Sequence, residues 1–184
     1  MFGLTRLFGV AALAVLATGC SSIRMVDSES TKVVPPGRVL VTFVRQPVWM
    51  GDGIPVDLWD GEHYIGVLRP SQIVQYVTTP GEHLFLGNAE NWTYASGSLV
   101  ADRRYYVKAN VFAGFATARV AFGVADNSDD RVEKWHEEYA PKAAPEKDRA
   151  TFEAKALVDV QEAIQLFKSG GVASFATITD AHAH

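Results

Sequence analysis

Residues 54–68 read Ile54-Pro55-Val56-Asp57-Leu58-Trp59-Asp60-Gly61-Glu62-His63-Tyr64-Ile65-Gly66-Val67-Leu68. Two runs rich in β-branched and aromatic residues flank Asp60-Gly61, the strongest short hairpin signal a sequence offers, because both turn positions are expected at φ > 0. Working outward, Arg38 to Val44 (RVLVTFV) is a β-branched strand, followed by a loop through Gln46-Pro47 and Gly51-Asp52-Gly53. Ile73 to Thr78 is a further strand candidate, closed by Thr79-Pro80-Gly81, and His83 to Leu86 follows. Trp92 to Val100 is a weaker strand pattern, with Ser96-Gly97-Ser98 read as a loop. Arg104 to Phe112 is strong, and Gly114-Phe115 turns the chain back into Ala118 to Val124. Seven or eight short strands at this spacing, with no helical period between them, predict a mainly β fold. The expected architecture is an antiparallel β-sandwich over residues 38–125.

Beyond Val124 the pattern changes. Asp126-Asn127-Ser128-Asp129-Asp130 is a run of capping residues, and Arg131 to Tyr139 follows as a short helix. Pro145 suits the first turn of the next helix, with Glu146 and Asp148 placed to meet its dipole. From there Phe152, Ala156, Val160, Ala163 or Ile164, and Phe167 recur at three to four residues, one apolar face of an amphipathic helix. One or two C-terminal α-helices are therefore expected within 126–169. The apolar face must be buried, either as a cap on the sandwich or against a partner. Gly170-Gly171 ends the pattern, and the small, polar stretch 170–184 reads as a disordered tail.

At the other end, Arg6 precedes an apolar run from Leu7 to Leu16, and Ala17-Thr18-Gly19 leads into Cys20, the single cysteine. A basic n-region, a short apolar h-region and small residues before a break point make a secretory signal peptide. The run is about half the length needed to span a bilayer. With cysteine directly after the small residues, the segment resembles a bacterial lipoprotein lipobox, with Ala17 where leucine is commonest. That resemblance implies cleavage after residue 19 and acyl chains (palmitate among them) on Cys20. Stable anchoring then rests on two or more chains, at about 0.8 kcal/mol per buried CH₂. Ser21 and Ser22 stand where aspartate retains enteric lipoproteins in the inner membrane, so the resemblance implies an outer-membrane protein facing the periplasm. Residues 1–19 are thus read as signal peptide and 20–37, closing with Pro35-Pro36-Gly37, as a lipidated tether. An acylated Cys20 leaves no thiol for disulfides, thiolate catalysis or zinc.

The chain of 184 residues carries a formal charge of −4, 48% hydrophobic and 11% aromatic residues, ample for one packed domain. It has no lysine or arginine run, which argues against nucleic acid as a partner. From Arg45 to about Tyr139 the chain resembles a family of Gram-negative lipoprotein domains of unknown function. The matching pieces are Val44-Arg45-Gln46 with Gly53-Ile54-Pro55-Val56, Leu58-Trp59-Asp60-Gly61-Glu62 with Ile65-Gly66, Pro80-Gly81-Glu82-His83, Tyr105-Tyr106-Val107, and Gly114-Phe115 into Ala118-Arg119-Val120. The Asp-Gly hairpin and Pro-Gly turn are also similar to the PEGA domain of bacterial surface proteins, although Gly81-Glu82-His83 departs from the full pattern. The resemblance implies a PEGA-like β-sandwich without catalytic residues.

Chemistry-bearing motifs are sparse. Asp52, Asp57, Asp60 and Glu62 lie close in sequence, but Asp60 serves its turn, and Asp57 and Glu62 are expected to face solvent. The acidic run 126–130 lacks the glycine and distal glutamate of an EF-hand. His63, His83 and His136 are far apart, and no nucleophile elbow or phosphate loop is present. No catalytic residue, metal site or cofactor is expected. Asn91-Trp92-Thr93 is a sequon without meaning in a bacterial lipoprotein. Trp49 and Trp92 fall in expected loops, where exposed rings mark binding more often than packing. The expectation is a non-enzymatic envelope lipoprotein, a structural or adaptor module holding a protein partner or peptidoglycan. A glycan, peptidoglycan or small-ligand binding module using Trp49 and Trp92 is the alternative, and an unrecognised envelope hydrolase the weaker one.

Overall fold

The run Val39 to Arg45 is buried at every residue and forms the spine of the larger sheet. The computed structural model describes residues 24–48, 53–113 and 118–184. Among them are eleven strands: β1 (Val26–Asp27), β2 (Val39–Arg45), β3 (Val56–Asp60), β4 (His63–Leu68), β5 (Gln72–Thr78), β6 (Gly81–Asn88), β7 (Trp92–Leu99), β8 (Arg103–Ala113), β9 (Ala118–Val124), β10 (Ala140–Ala143) and β11 (Ala176–Ile178). Two helices, α1 (Arg131–Glu138) and α2 (Glu146–Lys168), and a 3-10 turn at Asp180–His182 complete them. One sheet has the order β1-β10-β5-β2-β8-β9 and the other β11-β7-β6-β3-β4. None of the helices among the described residues is long and apolar enough to cross a membrane.

The mainly β, sandwich-like architecture with helices after it is as expected. Its strand count and polarity are not. Eleven strands replace seven or eight, and both sheets are mixed, because β2 runs parallel to β8, β10 to β5 and β11 to β7. The weak Trp92–Val100 pattern is a full strand, and Ser96-Gly97-Ser98 lies inside it rather than in a loop.

Alternation along the strands sorts the side chains into three clusters. Val39, Val41, Phe43, Val56, Leu58, Phe85 and Tyr105 fill the space between the sheets, with Phe43 and Phe85 edge-to-face at 5.4 Å. On the outer face of the smaller sheet, Trp59, Tyr64, Leu86 and Tyr94 meet Val160, Ala163 and Ile164 of α2. On the outer face of the larger one, Val44, Ile73 and Tyr106 meet Val132 and Trp135 of α1. The apolar face of α2 is therefore a cap on its own domain. Tyr94 Oη donates to the Ala163 carbonyl at 3.2 Å, and the Tyr64 amide to Glu153 Oε1 at 2.8 Å, which fixes the helix along the sheet.

The Asp-Gly hairpin forms one residue out of the expected register. Asp60 pairs with His63, so Gly61 and Glu62 are the turn residues. Only Gly61 takes a positive φ, +56°, the pattern of a type II′ turn rather than I′. A register shift between Leu58 and Trp59 absorbs the difference.

Among the described residues, the segments on both sides of the β-domain are more ordered than the sequence implies. Residues 24–37, read as part of a free tether, lie along the domain. Val26 and Asp27 pair with β10, the Thr31 amide donates to Gln75 Oε1 at 2.8 Å, and Lys32 meets Glu133. The stretch read as a disordered tail supplies β11 and the 3-10 turn, and the His184 amide donates to the Arg104 carbonyl at 2.9 Å. Gly97 makes this possible: a Cβ there would stand 2.1 Å from the Ile178 carbonyl oxygen. The acidic run before α1 does not cap the helix in the expected way: Asp130, at the N-cap, makes no side-chain capping hydrogen bond, and Asp126 and Asp129 hold the turn ahead of it. Asp126 Oδ1 accepts from the Ser128 amide, and Arg131 holds the Asp129 carboxyl down at about 2.

Candidate functional site

A cavity of about 490 Å³ opens where the start of β3, the end of β6 and the start of β7 meet the N-terminal half of α2. Its apolar wall is Trp59, Trp92 and Phe152, and its polar rim is Asp57, Asn88, Glu90, Lys155 and Asp159. The size falls within the range of pockets that bury a small organic ligand.

Strand period places the wall. Val56 and Leu58 point into the space between the sheets, so Asp57 and Trp59 point the other way, toward α2. Trp59 is 2% exposed and lies stacked on Phe152 at 5.8 Å and edge-on to Tyr64 at 4.8 Å. Tyr64 in turn sits 4.3 Å from Phe152. Trp92, half-buried, opens β7. Asn91 beside it uses its whole amide on structure: Nδ2 donates to the Trp92 and Val120 carbonyls, each at 2.9 Å, and Oδ1 accepts from the Val120 amide. That clamp ties the turn carrying Glu90, and the start of β7 with Trp92, to β9.

Asp57 corrects the expectation of a solvent-facing carboxylate. It is half-buried against α2, and burial raises its pKa to about 6, against the hydrogen bond from Tyr64 Oη at 3.0 Å and the charge of Arg69, which lower it. Burial first, and then Asp57, push the Tyr64 phenol well above its ordinary value, so it remains a donor. Glu62 is exposed as expected and accepts from Gln161 Nε2 at 3.1 Å. Trp92 lines the cavity. Trp49 and Cys20 lie outside the described residues.

The histidines lie elsewhere. His83 Nδ1 sits 2.8 Å from Asp60 Oδ2, and its Nε2 is 2.9 Å from the Thr79 carbonyl, so both ring nitrogens hold the hairpin base. Burial alone would lower the His83 pKa, but Asp60 and Thr79 carry it above the ordinary value. His136 lies between Ser30 Oγ at 2.6 Å and Tyr106 Oη at 2.9 Å, and burial, then Lys32, lower its pKa. This chain of hydroxyls and imidazole pins the N-terminal segment to α1. Among the described residues no group of three His, Cys, Asp or Glu side chains stands close enough to hold a metal ion.

The sequence pointed to Trp92 but not to the cavity around it. Asp57, Trp59 and Phe152 were each visible, as a turn-flanking acid, a strand aromatic and a helix-face residue. The chain matches no family model, no curated protein and no solved structure.

Proposed function

We propose that this chain is a lipid-anchored envelope protein whose domain is a non-enzymatic binding module for a small ligand. The aromatic-walled cavity under α2 is its site. The observation that carries the reading is the meeting of Trp59, Trp92 and Phe152 around about 490 Å³ of space, rimmed by polar side chains. Pockets of this kind bury the apolar body of a ligand and orient it by a few polar groups. The adaptor reading draws support from Leu157, Val158 and Leu166 on the outer side of α2, exposed at 37%, 66% and 48%. The regular apolar face of that helix does not add to it, since that face is occupied by the domain's own sheet.

We read the β-domain as PEGA-like on its sequence pieces, and the two-sheet layout is in keeping with that. The parallel β2–β8 pairing and the added β1, β10 and β11 are departures from a purely antiparallel sandwich. The lipid anchor is read from the segment ending at Cys20, and the address, the outer membrane facing the periplasm, from Ser21 and Ser22 after it. Cys20→Ala is expected to leave an uncleaved, unlipidated precursor, read by mass spectrometry of the membrane fraction. A Cys20→Ala chain that still fractionates as a mature outer-membrane protein would remove the anchor.

The binding reading is tested by photo-crosslinking in cells, with probes at Glu90 and Asp159 on the cavity rim and at Val158 on the outer face of α2. Small-molecule adducts confined to the rim probes are expected. A single dominant protein adduct at Val158, with none at the rim, would hand the function to the adaptor.

A further inference from the structure

The cavity's charges are lopsided. Three carboxylates, Asp57, Glu90 and Asp159, line it against one ammonium, Lys155. Glu90 and Asp159 are exposed at the mouth, whereas Asp57 is half-buried beside the aromatic wall, with one oxygen accepting from Tyr64. Indole and phenyl faces attract cations through their quadrupole, the more so the drier the site. A carboxylate held among such faces is the complement of an organic ammonium, because ring faces take the alkyl or ring body while the anion takes the charge. A neutral sugar or a carboxylate ligand fits less well. The first would leave the half-buried Asp57 with only the partial compensation that Arg69 gives it, and the second would face three like charges.

We propose that the ligand of this cavity is a compact organic ammonium ion, its charge against Asp57 and its body against the half-buried rings of Trp92 and Phe152, with Trp59 packed behind them. The inference rests on the reading of the cavity as a ligand site and adds the ligand's charge class. At neutral pH the Asp57 carboxyl is largely ionised, though burial holds it up at about 6, and Arg69 stands close enough only to offset that in part. Binding of a cation therefore favours the ionised form further.

Two isosteric probes separate charge from shape: choline and 3,3-dimethylbutan-1-ol, in which carbon replaces the quaternary nitrogen. Titrations follow the indole N–H resonances of Trp59 and Trp92 in the full-length protein in a non-ionic detergent at pH 7.5. Choline is expected to bind at least about ten-fold more tightly than the alcohol. In Asp57→Asn, which keeps an acceptor for Tyr64 and the side-chain volume, the ratio should fall below about three-fold. Equal binding of both probes would overturn the charge inference and leave the cavity as a ligand site. A preference for choline that survives in Asp57→Asn would overturn the assignment to Asp57. With no shift at Trp92 for either probe, the ligand-site reading falls together with the inference.

Discussion

Trp59→Ala is expected to cost about 3–5 kcal/mol of folding stability, the range for truncating a large aromatic in a packed core. Trp59 is 2% exposed and belongs to the cluster that joins the smaller sheet to Val160, Ala163 and Ile164 of α2. Its ring touches two others at once, Tyr64 and Phe152, so alanine leaves a void lined by both. Neither neighbour can close it easily. Tyr64 is held by Asp57 through its hydroxyl and by Glu153 through its amide. Phe152 is fixed by the helix backbone. The loss should appear as a lower urea midpoint at unchanged m-value, with α2 amides losing protection from exchange before those of β2. Val158→Ala on the same helix, 66% exposed, should stay within about 0.5 kcal/mol of the parent. A Trp59→Ala cost below about 1 kcal/mol would mean that α2 is not held by this cluster.

The same layer explains where the sequence was readable and where it was not. The strands that carry their own pattern, Val39 to Arg45, the hairpin around Gly61, Arg103 to Ala113 and Ala118 to Val124, were legible, and so was α2 with its face of Phe152, Val160 and Phe167, whereas the Gly114-Phe115 turn lies outside the described residues. β1, β10 and β11 were not. Two, four and three residues long, they contain Asp27, Pro141 and Ala176 and are too short to show a pattern, and they are strands because a neighbour offers an edge. The parallel pairings were hidden for a related reason: strand order is set by which faces bury together, and β2 finds both β5 and β8 at long range. Asp57 was misread by one step of inference. Alternation correctly sends it away from Val56 and Leu58, but that side is solvent only if nothing packs on it, and α2 does. Trp92 was legible as a ring near a loop. Its cavity depends on Phe152, sixty residues away in sequence, and periodicity alone does not supply such a contact.

Asp57→Asn is expected to make the free protein more stable at neutral pH, by about 1–3 kcal/mol, and to remove part of its pH dependence. The sign follows from linkage. The Asp57 carboxyl titrates at about 6 in the fold and near the ordinary aspartate value of 3.8 when unfolded. Between those values the folded chain keeps a proton that the unfolded chain has lost, so the slope of stability with pH is negative there. The group's contribution is fully present below pH 3.8 and is lost as pH rises through about 6. Above that, the fold carries a half-buried anion whose lost hydration the Tyr64 hydroxyl and Arg69 only partly replace. Asparagine accepts the same bond from Tyr64 without the charge. Urea midpoints of parent and variant should therefore nearly coincide at pH 4 and separate by pH 7.5, with the variant the more stable. The contributions of His83 and Asp129, whose pKa values are also shifted, are common to both proteins and cancel in the difference. Parallel curves would mean that the Asp57 carboxylate is solvated in the fold, and the case for it as an anionic anchor would go with that. The expected result instead places a destabilising charge where an aromatic wall and an open volume meet. Local rules of burial are broken most often at sites that bind, where a ligand's opposite charge supplies what the free fold lacks.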